Sequence, residues 1–187
     1  MFTVFVTQRI PEKGLALLRK RKNITLTVFS KDEQIPARSL PKFVKGCDAI
    51  LSDVGASIDE RVMNAAGAQL KVIANYAVGY NNIDLTTAKK RGIVVTNTPG
   101  VLSDAVAEHT IGLLLAITRR IVEADAYMRQ GKYTHWGPQL LLGMELHGKT
   151  LGIIGLGRIG KRVAEIAGNG LGMHILYHDP KRDEDLE

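Results

Sequence analysis

Cysteine is almost absent from this sequence: Cys47 is the single one in 187 residues. That excludes a disulfide framework, and no Cys/His cluster has zinc-ligand spacing. Cys47 itself reads as a small, half-buried residue ahead of a strand. Long apolar runs are missing too. No stretch approaches the ~20 residues that a membrane-spanning helix needs. The opening MFTVFVTQRIPEKG has neither the basic leader nor the small-residue cleavage site of a secretory signal. Aromatic residues are scarce, 5% of the chain with one Trp, at 136. None interleaves with basic residues to make a stacking platform for bases. Negative charge is the minority sign, 19 acidic against 25 basic side chains, a net +6. The excess is spread over Arg19 to Lys22, Lys89 to Arg91, Arg119-Arg120, Lys161-Arg162 and Lys181-Arg182. Most of these sit at helix ends, where cations complement the helix dipole. They read as solvated surface with some attraction for small anions. The expectation is a soluble cytoplasmic protein with no metal site and with neither nucleic acid nor membrane as partner.

What is present is an alternation of strand and helix from the first residue. Phe2 to Thr7 reads as a strand, Pro11 to Arg21 as a helix with Pro near its first turn, and Ile24 to Phe29 as a β-branched strand. Leu40 to Lys45 follows as a short helix and Ala49 to Ser52 as a buried strand. Ser57 is placed to cap a helix through Ala66, with Glu60 completing a capping box. Lys71 to Tyr76 is a strand, Leu85 to Arg91 a helix ended by Gly92, and Ile93 to Thr96 a strand. Such alternation implies βαβ units, a parallel sheet and helices on both faces.

Asn97-Thr98-Pro99-Gly100 is a turn-rich break and the best domain boundary. Beyond it, Ser103 or Asp104 can cap a helix running to about Gln130, closed by Gly131. Val106, Leu113, Leu114, Ile117 and Ile121 form its main apolar stripe. A helix of that length spans roughly 40 Å, which suits an element crossing between domains or reaching a partner subunit. Residues 132–149 read as irregular, with Trp136 and the apolar run Leu140-Leu141-Leu142.

The chemistry is concentrated in TLGIIGLGRIGKRVAEIAGNGLGMHILYHD, residues 150–179. Leu151 to Ile154 reads as a fully buried strand. Gly155, Gly157 and Gly160 then fall at the spacing G-x-G-x-x-G. Ile159, Val163, Ile166 and Ala167 follow on one helix face, and His174 to His178 forms a second strand tipped by Asp179. The first glycine permits the tight turn, the second leaves room for a pyrophosphate, and the third lets helix and strand approach. Unpaired N–H groups at the helix start face the phosphates, and Asp179 can accept from the adenosine ribose hydroxyls. A lone G-x-G-x-x-G is weak, but the strand, helix, second strand and acid in order match the full dinucleotide fingerprint.

These residues carry a family resemblance over essentially the whole chain. It is densest in ANYAVGYNNID (74–84), GIVVTNTPGVLSDAVAEHTIGLLLAITRR (92–120), HGKTLGIIGLGRIGKRVA (147–164) and GMHILYHDP (172–180). The chain resembles the N-terminal part of a D-2-hydroxyacid dehydrogenase, most closely the glyoxylate and hydroxypyruvate reductases; GKTLGIIGLGRIG is equally at home in the 3-phosphoglycerate dehydrogenase branch. The resemblance implies an α/β fold: a flavodoxin-like substrate domain over residues 1–98, then the first half of a Rossmann NAD-binding domain over 99–187. It implies that Val78 and Gly79 hold the substrate carboxylate through backbone N–H groups and that Val54 shapes the pocket over the substrate side chain. Thr110, with Val78, falls at the nicotinamide end. Gly155, Gly157, Arg158, Ile159 and Gly160 match the pyrophosphate turn, and Asp179 with Pro180 the adenosine end. Without the resemblance, Val54 and Thr110 would read as plain packing residues. Asp179 favours NAD over NADP, since its carboxylate would meet a 2′-phosphate, although Lys181 and Arg182 stand close by in sequence. The family's dimer contact corresponds to residues 104–144, which implies a homodimer.

The family's chemistry needs an Arg, a Glu and a His that lie downstream of the fingerprint. No catalytic residue of that kind is found here, and the histidines at 109, 135, 147, 174 and 178 read as structural. The chain is therefore expected to be the front part, or a truncated form, of such an enzyme and to be inactive alone. Three readings stay open: the front part of an NAD-dependent reductase of small 2-oxo acids; a non-enzymatic dinucleotide sensor of the corepressor kind; and an inactive truncated product.

Overall fold

The structure, a computed structural model, describes residues 1–184 and 187; of the polar stretch at 181–187, Asp185 and Leu186 lie outside the described residues. The chain divides into two compact units, Met1–Pro99 and Gly100–Glu187. Among the described residues no helix is long and apolar enough to cross a membrane.

The first unit alternates β1 (Phe2–Val6), α1 (Glu12–Arg19), β2 (Ile24–Val28), α2 (Leu40–Phe43), β3 (Ala49–Ser52), α3 (Glu60–Ala66), β4 (Val72–Asn75), α4 (Leu85–Lys90) and β5 (Val94–Thr96). Its strands form one parallel sheet in the order β2-β1-β3-β4-β5. The register sets Val4 beside Ala49 and Ile50 beside Ile73. Successive side chains of a strand point to opposite faces. Phe5, Ile50 and Ile73 therefore share one face with Leu40 and Val44 of the α2 segment, Val62 and Met63 of α3 and Ala88 of α4, all buried. On the other face Val4, Ala49, Leu51, Val72 and Ala74, with Leu18 of α1, line an apolar hollow of about 390 Å³. Because the order reverses between β1 and β3, the carboxyl ends of those strands flank the sheet's switch point, where ligands of such sheets bind.

In the first unit, the start of α3 differs from expectation. The cap of α3 is Asp59, which accepts the Val62 N–H at 3.0 Å, so the Ser57–Glu60 capping box does not form. Ile58 explains the shift: its N–H bonds Asn82 O and it is wholly buried, which holds the chain extended until Asp59. Cys47 is buried rather than half-buried, and burial, helped by Asp48, pushes its thiol pKa up.

The second unit contains α5 (Ser103–Thr118), α6 (Ile121–Arg129), β6 (Thr150–Ile154), α7 (Arg158–Glu165), a π-helical turn (Ile166–Gly170) and β7 (His174–His178). The expected 40 Å helix is broken in two. Arg120 adopts a left-handed conformation, φ 55°, and its guanidinium grips Glu123 of α6 at 2.7 Å. The carbonyl of Thr118, opened by the break, accepts the Met144 N–H at 2.7 Å. Gly143 lets that loop come so close, since a Cβ there would stand 2.5 Å from the same oxygen. The 16 residues of α5 span about 24 Å. Its N-cap is Leu102, without a side-chain cap; Ser103 is the first helical residue, and Asp104 instead pairs with Arg162 at 2.9 Å.

The buried face of α5 also differs. Ala107 and Ile111 are buried and Leu114 and Leu115 partly so, against Val163 and Ala167. Of the expected stripe, only Leu114 faces this core; Val106, Leu113, Ile117 and Ile121 are exposed, Ile117 to 77%. The segment SDAVAEHTIGLLLAIT is apolar on nearly every side, so spacing alone does not choose its inner face. β6 pairs in parallel with β7, Thr150 beside His174 and Ile154 beside His178. α5 and α7 cover one face, reaching Leu151, Ile153 and Ile175. β6 is thus not fully buried, because the helices cover a single face: Ile154 is 93% exposed.

Candidate functional site

In the second unit, β6 runs into the glycine turn and α7 leaves it. Gly155 sits at φ +93°, a conformation L side chains rarely adopt. At Gly160 a Cβ would stand 2.3 Å from the Gly155 carbonyl oxygen, so this position needs a glycine for helix and turn to approach. Gly157 is the N-cap of α7 and faces open space. The first-turn N–H groups of α7, from Arg158, Ile159 and Gly160, are unpaired by helix geometry. Arg158 is exposed, and Ile159 is half-buried against the core.

Asp179 lies at the tip of β7 and is tied to this turn. Its Oδ2 accepts the Leu156 N–H at 2.7 Å, and its Oδ1 accepts the Lys181 N–H at 2.9 Å. The Lys181 and Leu156 bonds hold the carboxyl below the usual carboxylate range, so it is ionised at neutral pH. Pro180 follows, exposed. Thus the turn and the acid, 23 residues apart at the bonded pair, meet in one place. The residues present fit a dinucleotide: an open glycine cradle, free helix N–H groups and a fixed anionic acceptor. Thr110, in the same unit, is exposed, and its hydroxyl donates to Val106 O at 2.8 Å. Packing does not explain it, and that hydroxyl bond stays within its own helix.

In the first unit the remaining candidates lie at the carboxyl ends of the strands. Val54 follows β3 and is 65% exposed, outside the buried core of the first unit. Val78 and Gly79 lie in the loop after β4. Val78 O accepts the Asn97 side-chain amide at 2.8 Å, and Gly79 O accepts that of Asn75 at 2.7 Å. Asn82, in the same loop, donates to Asp53 O and Ala56 O at 2.9 and 3.0 Å, joining the loop that bears Val54 to the loop that bears Val78. Sequence reasoning assigned no role to Asn75, Asn82, Asn97 or Leu156. The available signal was Asn75 of ANYAVGYNNID at the end of an apolar strand, where a buried polar side chain needs partners.

Fold and site define a class: a parallel α/β protein joined to a strand–glycine turn–helix–strand unit of the Rossmann type. The comparisons make this specific. The family described as D-isomer specific 2-hydroxyacid dehydrogenase, catalytic domain, matches residues 4–169, and the chain belongs to that family. Over 186 residues it is 48% identical to the glyoxylate reductase of Korarchaeum cryptofilum (strain OPF8), covering 98% of this chain and 54% of the relative. Among solved structures, the TT0316 protein from Thermus thermophilus superposes with a TM-score of 0.91 at 43% identity, covering 98% of this chain and 58% of that one. The D-lactate dehydrogenase from Aquifex aeolicus, complexed with NAD and lactic acid, gives 0.79 at 29% identity, covering 98% and 53%. The chain spans about half the length of the curated relatives it matches.

Proposed function

We propose that these residues form the front part of an NAD-dependent reductase of small 2-oxo acids such as glyoxylate or hydroxypyruvate, acting in the cytoplasm. Residues 1–98 take the part of the substrate domain, and 99–187 that of the first half of the NAD-binding domain. The carrying observation is the ionised Asp179 held against Leu156 of the glycine turn. The glyoxylate reductases at 40–48% identity support this substrate class. Gly155, Gly157, Arg158, Ile159 and Gly160 would hold the pyrophosphate and Asp179 and Pro180 the adenosine, while the resemblance assigns Thr110 and Val78 to the nicotinamide end. The Val78 and Gly79 N–H groups take the substrate carboxylate, beside Val54. When bound, the nicotinamide supplies a hydride to the carbonyl; the chain's own part is to bind and orient both molecules. NAD is preferred, because a 2′-phosphate beside the Asp179 carboxylate sets like charges at short range.

The exposed apolar side chains Leu113, Ile117, Ile121, Val122, Trp136 and Leu142 belong to residues 104–144 and support a homodimer through that segment. None of the five histidines stands in the family's catalytic context, so the 187-residue polypeptide alone binds but does not reduce. Without a positioned general acid the reaction loses roughly 10²–10⁴-fold. Fluorescence titration of the purified chain with NADH and NADPH, followed by an NADH-consumption assay with glyoxylate, tests both statements. Saturable NADH binding, weaker NADPH binding and no turnover are expected. Tighter NADPH binding would refute the cofactor preference, and glyoxylate-dependent turnover would reveal catalytic groups within these residues.

A further inference from the structure

The loop after β4 has a property that the resemblance does not supply. Three successive carbonyls in it are each held by a donor: Ala77 O by the Thr98 N–H at 2.8 Å, Val78 O by the Asn97 side-chain amide at 2.8 Å and Gly79 O by that of Asn75 at 2.7 Å. In a trans peptide the N–H points opposite to the C=O. Tying the carbonyls of Ala77, Val78 and Gly79 to the protein therefore turns the N–H groups of Val78, Gly79 and Tyr80 away from those donors. These three N–H groups make no hydrogen bond to any described residue.

The donors are themselves fixed. Asn75 ends β4 directly beside Ser52, the last residue of β3, and the two are 2% and 1% exposed. Asn75 Oδ1 accepts the Ser52 hydroxyl at 2.8 Å, and its amide pairs with that of Asn82 at 3.2 and 3.3 Å. A buried amide with every group engaged keeps one orientation. We propose that Asn75 and Asn97 are positioning residues: they aim the Val78, Gly79 and Tyr80 N–H groups into one anion-binding concavity that takes the carboxylate of a 2-oxo acid. The assignment rests on the substrate-site reading above. Its new content is the device that orients the amides, together with the addition of Tyr80 to them. Burial of Asn75 follows from this role, since an apolar residue at the end of β4 would leave Gly79 O without its donor.

The test uses ¹⁵N relaxation and glyoxylate titration of the 187-residue chain, parent and variants. Asn97→Leu keeps the approximate shape and removes the donor to Val78 O. The Gly79 N–H, on that same peptide, should pass from an order parameter near ~0.85 to below ~0.6. The Ile50 and Ile73 amides should not change. Glyoxylate, read from the Gly79 amide shift, should bind about tenfold more weakly, the equivalent of one lost hydrogen-bond contribution. Asn75→Ala acts one peptide further on and should loosen the Tyr80 N–H; where it unfolds the chain, Ser52→Ala probes the same asparagine more gently. A merely structural role predicts a lower melting temperature with Gly79 order and glyoxylate affinity unchanged, and that result overturns the inference. If the parent amides ignore glyoxylate, the carboxylate reading falls and with it the purpose assigned to the asparagines. Loosened amides without a change in affinity would overturn the positioning role while leaving the site reading intact.

Discussion

Replacing Gly160 with Ala sets two effects against each other whose sizes the structure fixes. Ala is better than Gly in a helix by about 1 kcal/mol, and Gly160 lies within α7. Against this, the new Cβ would stand 2.3 Å from the Gly155 carbonyl oxygen, about 1 Å inside ordinary contact. The obstacle is main chain, at a residue already confined to φ +93°, so it has no rotamer into which to swing away. The helix must back off from β6 and lose packing of Val163 and Ala167 in the core. Overpacking of this kind costs about 1–3 kcal/mol, often more against backbone. The net expectation is a destabilisation of roughly 1–2 kcal/mol. In a unit of this size that lowers the midpoint by about 4–15 °C, and NADH binding falls with it. Gly157→Ala makes the informative contrast. Its Cβ meets nothing within 4 Å, so stability should change by no more than the loss of a fair N-cap, about 1 kcal/mol. NADH affinity, however, should drop at least about tenfold on the proposed reading, in which the space it fills takes the pyrophosphate. Calorimetry and fluorescence titration of the two variants decide the matter. Parent-like melting of Gly160→Ala would refute the close-approach argument, and parent-like NADH binding by Gly157→Ala would refute the placement of the pyrophosphate.

Three further outcomes can be checked. Asp179→Asn should narrow the preference for NADH over NADPH at neutral pH, where the parent carboxyl, held below its ordinary pKa by the Lys181 and Leu156 N–H bonds, is charged. An unchanged preference in the variant would contradict this. Ile117→Glu, at an exposed apolar position of α5, should shift light-scattering mass toward monomer with little change in melting, whereas an unchanged mass would exclude that face from the contact. Asp59→Ala should cost about 1 kcal/mol as a lost helix cap, and Asp84→Ala should destabilise in the same direction. Both carboxyls are held below their ordinary pKa: burial opposes this at Asp59 but the Val62 and Arg61 bonds outweigh it, and Thr87 bonds do so at Asp84. Their contribution is thus complete above about pH 4 and lost as pH falls through the folded values, so the variants should converge with the parent in acid denaturation.

Much of this molecule was legible in advance, for reasons that differ by element. The strand–helix alternation of the first unit announced itself because buried parallel strands are short β-branched runs bounded by turn residues. The glycine turn could be read because Gly155 and Gly160 answer separate demands of the backbone, a positive φ and a close approach of helix to strand. The break at Arg120 could not. It depends on a loop well downstream, where Gly143 and Met144 reach the Thr118 carbonyl, and nothing in RRIV marks it locally. The inner face of α5 was misread because its apolar residues go nearly all the way round. The loop asparagines lacked a visible role because their partners are backbone carbonyls, which every residue offers. The exposed sheet face at Ile154 was missed because an apolar strand is written the same way whether one or both of its faces are covered.

The bond from the Leu156 N–H to Asp179 also bears on how this protein could be re-engineered. A swap of the acid for a small or basic residue is the obvious route to a phosphate-tolerant pocket. Here it would also leave a turn amide without its acceptor, in a residue that is itself buried. The strand tip and the glycine turn, proposed above to meet the adenosine and the pyrophosphate, are therefore not independent, and changes at the two should be non-additive in a double-mutant cycle. A successful redesign would have to pair any substitution at 179 with a neutral acceptor reaching Leu156, such as a Ser or Asn carried at the same strand tip.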